Sequence, residues 1–217
     1  MTIHHLSKSP SILNTFISEI RDHKIQKDPL RFRRNIERIG EILGYELSKE
    51  LASKTVEVIT PLGTKKIAVP TKELVLCSIL RAGLPLHQGL LNYFDTAENA
   101  FIAAYRHHPN KDAAFDIVVE YFAAPALEDK ILLLADPMLA TGQSLVAVHK
   151  AIKKQGIPKE IHIVVVIASQ EGIHFIEKHF PKNTHLWIAA IDPTLNEKGY
   201  IIPGLGDAGD LAFGTKL

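Results

Sequence analysis

Alternating aliphatic runs and helical patterns predict an α/β fold in which helices flank a central parallel sheet. Three runs of strand length, residues 74–80, 131–135 and 161–168, are apolar on both faces, as buried parallel strands are. A segment with helical spacing of apolar residues follows each run, which is typical of parallel α/β folds. Right-handed crossovers between such strands would bring the loops that follow them to one edge of the sheet.

The chain length limits the domain organisation. With 217 residues the chain is long enough for one well-filled α/β core and too short for two full enzyme domains. We therefore expect a single domain, 1–217, made of four parts. These are a helical N-terminal segment (1–54), a β-hairpin arm (55–70), a core (71–195) and an irregular C-terminal tail (196–217).

Each element is predicted from its own pattern. A helix over 11–22, capped by Ser9 or Ser11, and a longer helix after Asp28-Pro29 have apolar residues at helical spacing. Two short strands on either side of a Pro-Leu-Gly turn form the arm. Five glycines and little periodicity over 199–216 predict an irregular tail. The core elements are strand 74–80, helix 84–93, strand 100–105, strand 115–122, strand 131–135, helix 145–152, strand 161–168, helix 172–180 and strand 185–191.

Composition and charge argue against several classes of protein. The chain is 46% hydrophobic and 23% charged with a formal net charge of +1, so we expect neither nucleic acid nor a membrane as partner. No run of about 18 apolar residues and no signal-like N-terminal segment is present. Cys77, the only cysteine, lies in an apolar run and is compatible with a reducing compartment. We therefore expect a cytoplasmic protein.

The second helix has an apolar stripe from Phe32 to Leu51, with charged residues on its other faces. This stripe would serve either the core of the protein or an interface between copies of the chain. We expect a homo-oligomer of two or more subunits, with the number of subunits left open.

The stretch from Asp136 to Ser144 organises the rest of the sequence. An aliphatic strand ends at Asp136, and a short loop leads into a helix, whose N-terminal N–H groups and dipole stabilise an anionic phosphate. Thr141 and Ser144 add hydroxyl donors, and Gly142 allows close backbone approach. The carboxylate of Asp136 suits the two hydroxyls of a ribose. The stretch predicts a ribose 5-phosphate site, and its structural alternative is a capped turn between core elements.

The same stretch, Asp136-Pro137-Met138-Leu139-Ala140-Thr141-Gly142-x-Ser144, resembles the phosphoribosyl-diphosphate loop of the phosphoribosyltransferases, and within them that of the uracil phosphoribosyltransferases. The resemblance implies that the whole loop, Gln143 included, binds the sugar diphosphate. The family usually has Gly where this chain has Gln143. A side chain there costs about 1–2 kcal/mol in a left-handed backbone and little in a first helical turn, and we favour the helical interpretation.

Two arginines extend the resemblance. Arg81, in Ile79-Leu80-Arg81-Ala82-Gly83, follows a buried strand and matches the first substrate-contacting segment of the family, so it is a candidate pyrophosphate ligand. Arg106 matches the second phosphate-contacting arginine of the family. The match then weakens, because His107-His108-Pro109 stands where the family commonly has an acid and a proline.

Two further features are the histidine pairs and the strand predicted over 115–122. Two adjacent histidines point to opposite sides of an extended chain, so His107-His108 and His4-His5 are expected in solvent rather than at a metal. The strand over 115–122 would pair with its neighbour as a flap over the site, with Tyr121 as a weak candidate for a role in closure.

The tail is the predicted place of base recognition. A glycine-rich backbone can present N–H, C=O and N–H groups in the order that matches the O2, N3–H and O4 groups of uracil, whereas cytosine would leave buried groups unpaired at roughly 1–3 kcal/mol each. The segment resembles the uracil-binding tail of the family, which implies uracil contacts at Ile201, Gly206, Asp207 and Ala208. Asp207 is further implicated in binding the sugar diphosphate through its metal. The alternative, a disordered terminus, is disfavoured by apolar anchors such as Tyr200 and Phe213.

The resemblance implies transfer of the phosphoribosyl group from 5-phospho-α-D-ribose 1-diphosphate to N1 of uracil, which gives UMP and pyrophosphate in pyrimidine salvage. The residues implied in catalysis are Arg81, Arg106, Asp136 and Asp207. Mg²⁺ is expected mainly on substrate oxygens and water, without a cage of protein ligands. No side chain is assigned as the base for the N1 proton, and regulation by GTP or another nucleotide is left open.

Three alternatives remain beside this interpretation. An RNA-binding regulator on the same fold would need a basic face, which the near-neutral charge disfavours. A kinase or other phosphate-loop NTPase would need a Gly-x-x-x-x-Gly-Lys-Ser/Thr motif, which is absent. Transfer to orotate or to a purine is disfavoured by the tail.

Overall fold

The computed structural model describes residues 1–70, 73–107 and 116–216, with the side chains of 104–107 and 116–119 set aside. The strands are β1 (Thr2–His5), β2 (Ser53–Thr60), β3 (Gly63–Pro70), β4 (Leu74–Leu80), β5 (Glu98–His107), β6 (Asp116–Ala123), β7 (Ile131–Ala135), β8 (Met138–Leu139), β9 (Glu160–Ser169), β10 (His185–Asp192), β11 (Thr194–Leu195) and β12 (Ile201–Ile202). The helices are α1 (Ile12–Arg21), α2 (Pro29–Ser48), α3 (Leu84–Leu91), α4 (Gln143–Ile152), α5 (Gln170–Glu177) and α6 (Ala208–Phe213).

A mostly parallel sheet forms the centre of the fold, in the order β1-β10-β9-β7-β4-β5-β6, with β8 paired to β9. All the pairs along this path are parallel except β5 with β6, which is antiparallel. Because the parallel strands run in one direction, the loops after β4, β7 and β10 leave from the same edge. The α/β class and the predicted parallel sheet are confirmed.

Two apolar cores lie on opposite faces of the sheet. Alternate residues of β4 enter different cores: Leu74 and Leu76 pack with the N-terminal helices, whereas Val75 and Cys77 pack with α4 and α5. This alternation is the two-residue period of a strand, and it explains why the buried strands have apolar residues on both faces. The apolar stripe from Phe32 to Leu51, most of it on α2, lies in the first of these cores, where its residues are buried within the chain itself except for the partly buried Ile42.

Side-chain caps set the starts of helices α1, α2 and α5, and of α6 in the tail. Ser11 accepts a hydrogen bond from the Leu13 N–H at the start of α1, which decides between the two predicted caps in favour of Ser11. Asp28 accepts from two N–H groups at the start of α2, where Pro29 occupies the first turn without losing a hydrogen bond. Ser169 does the same for α5 through the Gly172 N–H.

Several predictions about the ends of the chain are wrong. Thr2–His5 form the edge strand β1, which was not predicted. His4 is half-buried rather than exposed, because its ring stacks on Trp187 with centroids 3.7 Å apart. The tail is not irregular throughout, since it contains β12 and the six-residue helix α6.

The predicted strand over 115–122 is present as β6, although residue 115 lies outside the described residues. Its role as a flap stays a prediction. Within the part of the chain that the structure describes, none of the helices combines the length and apolar character needed to span a bilayer.

Candidate active site

A cavity of about 470 Å³ opens at the edge of the sheet where β4 and β7 end. It lies between the loops after these strands, the first turn of α4 and the C-terminal tail. Nine of the predicted site residues line it: Arg81, Asp136, Met138, Ala140, Ser144, Ile201, Gly206, Asp207 and Ala208. The structure thus brings the predicted sugar-diphosphate segment and the predicted base segment to one cavity.

The loop after β7 is fixed by the neighbouring strand β9. The Asp136 N–H donates to the Val164 carbonyl (3.1 Å), and the Pro137 carbonyl accepts from the N–H groups of Val166 and Ile167. Leu139 is buried and belongs to β8, which pairs with β9. Pro137 and Leu139 therefore shape the loop from behind and do not line the cavity.

Gly142 and Gln143 show how the loop becomes a helix. Gly142 is the cap of α4 in a left-handed conformation (φ 79°), and a Cβ there would lie 2.9 Å from the Ile176 Cγ2. Gln143 is the first residue of α4 and is exposed, so the predicted helical interpretation is confirmed. Thr141 and Gly142, in the loop, and Gln143, in α4, do not line the cavity. The first N–H groups of α4 have no intrahelical partner and are available to an anion.

Asp136 occupies the position that sequence analysis gave it, at the end of β7. Among the described residues, its carboxylate accepts one hydrogen bond, a long one from the Met138 N–H to Oδ1 (3.5 Å). Burial raises the pKa of Asp136 from its ordinary 3.8 to about 7, and the Met138 N–H opposes this only in part. A carboxyl group held in a cavity with so little hydrogen bonding has capacity left for ligand hydroxyl groups.

Arg81 extends over the cavity toward the tail. Its guanidinium Nη2 donates to the Gly214 carbonyl (3.1 Å) and lies 3.5 Å from the Asp210 Oδ1. The Asp210 Oδ1 is buried and has no hydrogen-bond partner, whereas the Arg81 side chain is 40% exposed. The arginine is therefore held by weak contacts that a phosphate oxygen could replace.

The tail folds into a compact unit beside Arg81. Strands β11 and β12 pair as a short antiparallel ladder, and Gly204 and Gly206 follow with positive φ values. Asp207 caps α6, because its Oδ1 accepts from the Asp210 N–H (2.9 Å). Ile201 and Ala208 are buried, while a Cβ on Gly206 would meet nothing closer than 4.0 Å, so the space beside Gly206 is open.

Some site residues were not predicted, and one prediction is outside the described part. Arg106 has its backbone in β5, but its side chain lies outside the described residues. The cavity lining that was not predicted comprises Ile79, Leu80, Ala82, Gly199, Tyr200, Gly209 and Lys216. All but Lys216 adjoin a predicted site residue or segment in sequence, and that adjacency was the available signal. Lys216 adds a cation to the cavity from the end of the predicted tail, where no role was assigned to it.

The acidic groups of the cavity suit a hard cation in their chemistry. Asp136 and Asp207 line the cavity. Asp210 lies beside it in α6, with a buried Oδ1 that makes no hydrogen bond and lies 3.5 Å from Arg81. Carboxylate oxygens are ligands that Mg²⁺ accepts together with water and phosphate. Among the described residues, no cluster of three or more acidic, histidine or cysteine side chains is arranged to hold a metal ion.

Comparison with known proteins agrees with this geometry. A family model described as uracil phosphoribosyltransferase matches residues 7–215. The chain belongs to the uracil phosphoribosyltransferase family. A uracil phosphoribosyltransferase from Porphyromonas gingivalis is 54% identical over 217 residues, which covers 100% of both chains. Another from Thermococcus gammatolerans is 39% identical and covers 99% of this chain and 94% of its own.

Two solved structures resemble the fold of this family member. The structure of the AQ2163 protein from Aquifex aeolicus has a TM-score of 0.87 at 32% identity, with 100% of each chain covered. A hypoxanthine phosphoribosyltransferase from Staphylococcus aureus has a TM-score of 0.50 at 16% identity over 75% of this chain and 76% of its own. At that identity the second likeness indicates the shared fold alone.

The burial of Asp136 predicts an unusual dependence of stability on pH. The folded-state pKa lies above the ordinary value of 3.8, so the folded protein binds the extra proton and its stability falls as pH rises from 3.8 to about 7. Asp136→Asn removes this titration. We expect the variant to be more stable than the parent at pH 8 by up to about 4 kcal/mol, and the two to converge near pH 4. Urea unfolding at each pH measures the difference, and parallel curves for the two proteins would contradict it.

The conformation of Gly142 predicts a contrast between neighbouring substitutions. Gly142→Ala places a Cβ in a left-handed backbone and close to Ile176 and Phe175, so the free energy of unfolding should fall by about 1–3 kcal/mol. Gln143→Ala is the matched control, because residue 143 is helical and exposed, and we expect a change within about 0.5 kcal/mol. Equal effects in urea unfolding would mean that the left-handed cap is not required.

Proposed function

We propose that this protein transfers the 5-phosphoribosyl group from 5-phospho-α-D-ribose 1-diphosphate to N1 of uracil, giving UMP and pyrophosphate. One observation supports the proposal: Asp136, Met138, Ala140 and Ser144 of the loop after β7, Arg81 and part of the glycine-rich tail line one cavity. A sugar phosphate and a base would meet between these segments. Family membership supports the same reaction, because the relatives named above are uracil phosphoribosyltransferases.

The loop after β7 would hold the ribose 5-phosphate. The first turn of α4 would offer unpaired N–H groups and the Ser144 hydroxyl to the phosphate, and Thr141 would add its hydroxyl from the loop before the helix. Asp136, next to this turn, would accept hydrogen bonds from the two ribose hydroxyls. An ionised carboxylate accepts these bonds best, so binding of the sugar would strengthen as pH rises through the raised pKa of about 7.

The departing pyrophosphate would lie on the side of Arg81. Negative charge grows on pyrophosphate while positive charge grows on the sugar ring, so a guanidinium near the leaving group stabilises the transition state. Arg81 and Arg106 are proposed for this role. Mg²⁺ would reach the site with the diphosphate and be faced by Asp207, and when bound it would neutralise phosphate charge.

The tail would recognise uracil and hold it in line with the anomeric carbon of the sugar. Ile201 would contact the ring, and the backbone from Gly206 to Ala208 would pair with the polar edge of the base. A site built to pair with uracil rejects a base with the opposite donor and acceptor pattern, because buried groups would then stay unpaired. Positioning of the two substrates supplies the rest of the acceleration.

We also propose a cytoplasmic location. The lone Cys77 is buried, its burial raises the thiol pKa to about 12, and a chain with a single cysteine forms no internal disulfide.

The reaction predicts a specific pattern of base use. Purified protein with Mg²⁺ and labelled sugar diphosphate should form a nucleotide from uracil and not from cytosine, orotate or hypoxanthine. Asp136→Asn should lower kcat/KM for the sugar diphosphate by at least about tenfold, since a charge-assisted hydrogen bond to the sugar is lost.

Asp95→Asn is the control for this variant, because Asp95 is exposed and does not line the cavity. Failure of the wild-type protein to use uracil, or full turnover by Asp136→Asn, would refute the proposal, and binding of RNA without turnover would favour a regulator.

We further propose that the protein is a homo-oligomer, and the hairpin arm supports this. Strands β2 and β3 pair with each other and form a sheet of their own. Ile59 is 88% exposed and Leu62 is fully exposed at the arm. An isolated two-stranded hairpin is marginally stable, and exposed apolar side chains favour burial against another surface.

The oligomer prediction is tested by the molar mass in solution. Light scattering after size-exclusion chromatography should give at least twice the chain mass of 24.1 kDa for the wild-type protein. Ile59→Glu should reduce the mass, because a charge on the arm opposes apolar burial. Ile157→Glu is the control, since Ile157 is also exposed but lies in the loop before β9. A monomeric wild-type protein at micromolar concentration would overturn the prediction.

A further inference from the structure

The N-terminal helix α1 ends at a side chain that reaches the C-terminal tail. Arg21 makes a two-pronged ion pair with Asp192 at the end of β10, with Nη1 donating to Oδ2 and Nη2 donating to Oδ1, both at 2.8 Å. Asp192 is only 5% exposed. Parallel donors in this geometry fix orientation as well as distance, so the pair is a rigid reference point beside the tail.

Both partners of this pair also hold the same glycine. Arg21 Nη1 donates to the Gly204 carbonyl (2.9 Å), and the Gly204 N–H donates to the Asp192 Oδ2 (3.0 Å). Both backbone polar groups of Gly204 are thus bonded to the ion pair. Gly204 has a positive φ of 59°, and a Cβ there would lie 2.1 Å from the Ile201 carbonyl oxygen. The turn is therefore tightly folded and leaves no freedom to move away from the pair.

The position of Gly204 connects this pair to base recognition. Gly204 stands between Ile201 and Gly206, which both line the cavity, while neither Gly204 nor the two charged residues line it. The ion pair thus holds the turn from behind. A displacement of the turn by a fraction of an ångström would misplace the backbone groups that are proposed to pair with the base.

Neighbouring contacts hold the rest of the tail to the same helical segment. The Gln26 side chain donates to the Leu205 carbonyl (3.2 Å) and to the Ile20 carbonyl (2.9 Å). Arg33 in α2 donates to the Ala212 carbonyl (2.7 Å) at the other end of the tail. The helical N-terminal segment is therefore the frame on which the tail is built.

We propose that Arg21 and Asp192 are positioning residues that set the affinity and selectivity for the base without touching it. This inference rests on the proposed function. The sugar-diphosphate loop is fixed separately, by β9, so loss of the ion pair should affect the base more than the sugar diphosphate. A residue that only supported the fold would change both in proportion.

The test measures the two substrates separately in Arg21→Met, Arg21→Lys and Asp192→Asn. We expect Arg21→Met to raise KM for uracil at least tenfold and KM for the sugar diphosphate less than twofold. Arg21→Lys should fall between the wild type and Arg21→Met, because an ammonium can replace the charge but not the two-pronged geometry. The activity with cytosine relative to uracil should be lowest in the wild type, higher in Arg21→Lys and highest in Arg21→Met. Arg34→Met is the matched control, since Arg34 pairs with Glu37 at the surface (2.6 Å) and should leave both KM values unchanged.

Loss of one charge from a buried ion pair also destabilises a protein. A second variant that lacks the ion pair but stays folded is therefore needed for comparison. The double variant Arg21→Met, Asp192→Leu removes both charges and should remain folded in thermal unfolding, with the raised KM for uracil retained. A folded double variant with wild-type KM for uracil, or an equal rise of both KM values in the single variants, would overturn the inference. Absence of UMP formation by the wild-type protein would instead overturn the proposed function.

Discussion

The pairing of β4 with β7 is the constraint on which the site depends. The two strands are parallel neighbours in register, with Ser78 opposite Ala135, so both end at the same edge of the sheet. The chain continues from these ends to Arg81 and to Asp136, which therefore reach one cavity although they are far apart in sequence. Strand β9 lies on the other side of β7 and fixes the loop after it through backbone hydrogen bonds. The sheet thus supplies a rigid edge, and the loops supply the chemical groups.

At this edge of the sheet, the position of the Asp136 carboxylate lowers the stability of the folded protein. The carboxyl group of Asp136 is half-buried at the cavity and, within the described part of the chain, accepts a single long hydrogen bond. Its partial removal from solvent raises its pKa to about 7. A group selected for stability alone would be fully hydrogen-bonded or replaced by a neutral one. The arrangement is understandable if ligand hydroxyl groups complete the hydrogen bonding, because the penalty is then relieved on binding. The same position therefore leaves the Asp136 carboxylate short of hydrogen-bond donors within the protein and exposes it to a ligand in the cavity.

Local patterns in the sequence were sufficient for the central sheet and for the loop after β7, and insufficient for the ends of the chain. Continuous apolar runs predicted β4, β7 and β9 because burial on both faces imposes that pattern. The helical state of Gln143 followed from local backbone preferences, with Gly142 taking the left-handed position. Strand β1 was missed because its place is set by a distant contact, the stacking of His4 on Trp187. Helix α6 was missed because a short glycine-rich segment has no apolar period.

The contacts that complete the site are those that no local pattern encodes. Arg21 and Asp192 are 171 positions apart, and Arg81 and Gly214 are 133 apart. Through these contacts the N-terminal helices hold the tail, and the tail in turn holds Arg81, so three distant parts of the chain form one unit. In the free protein Arg81 contacts a neutral carbonyl and a carboxylate at 3.5 Å, both weaker partners than phosphate oxygens in hydrogen-bonding distance. An anion bound at Arg81 would therefore replace these contacts with stronger ones. The tail would then lose its contacts with Arg81 at Gly214 and Asp210.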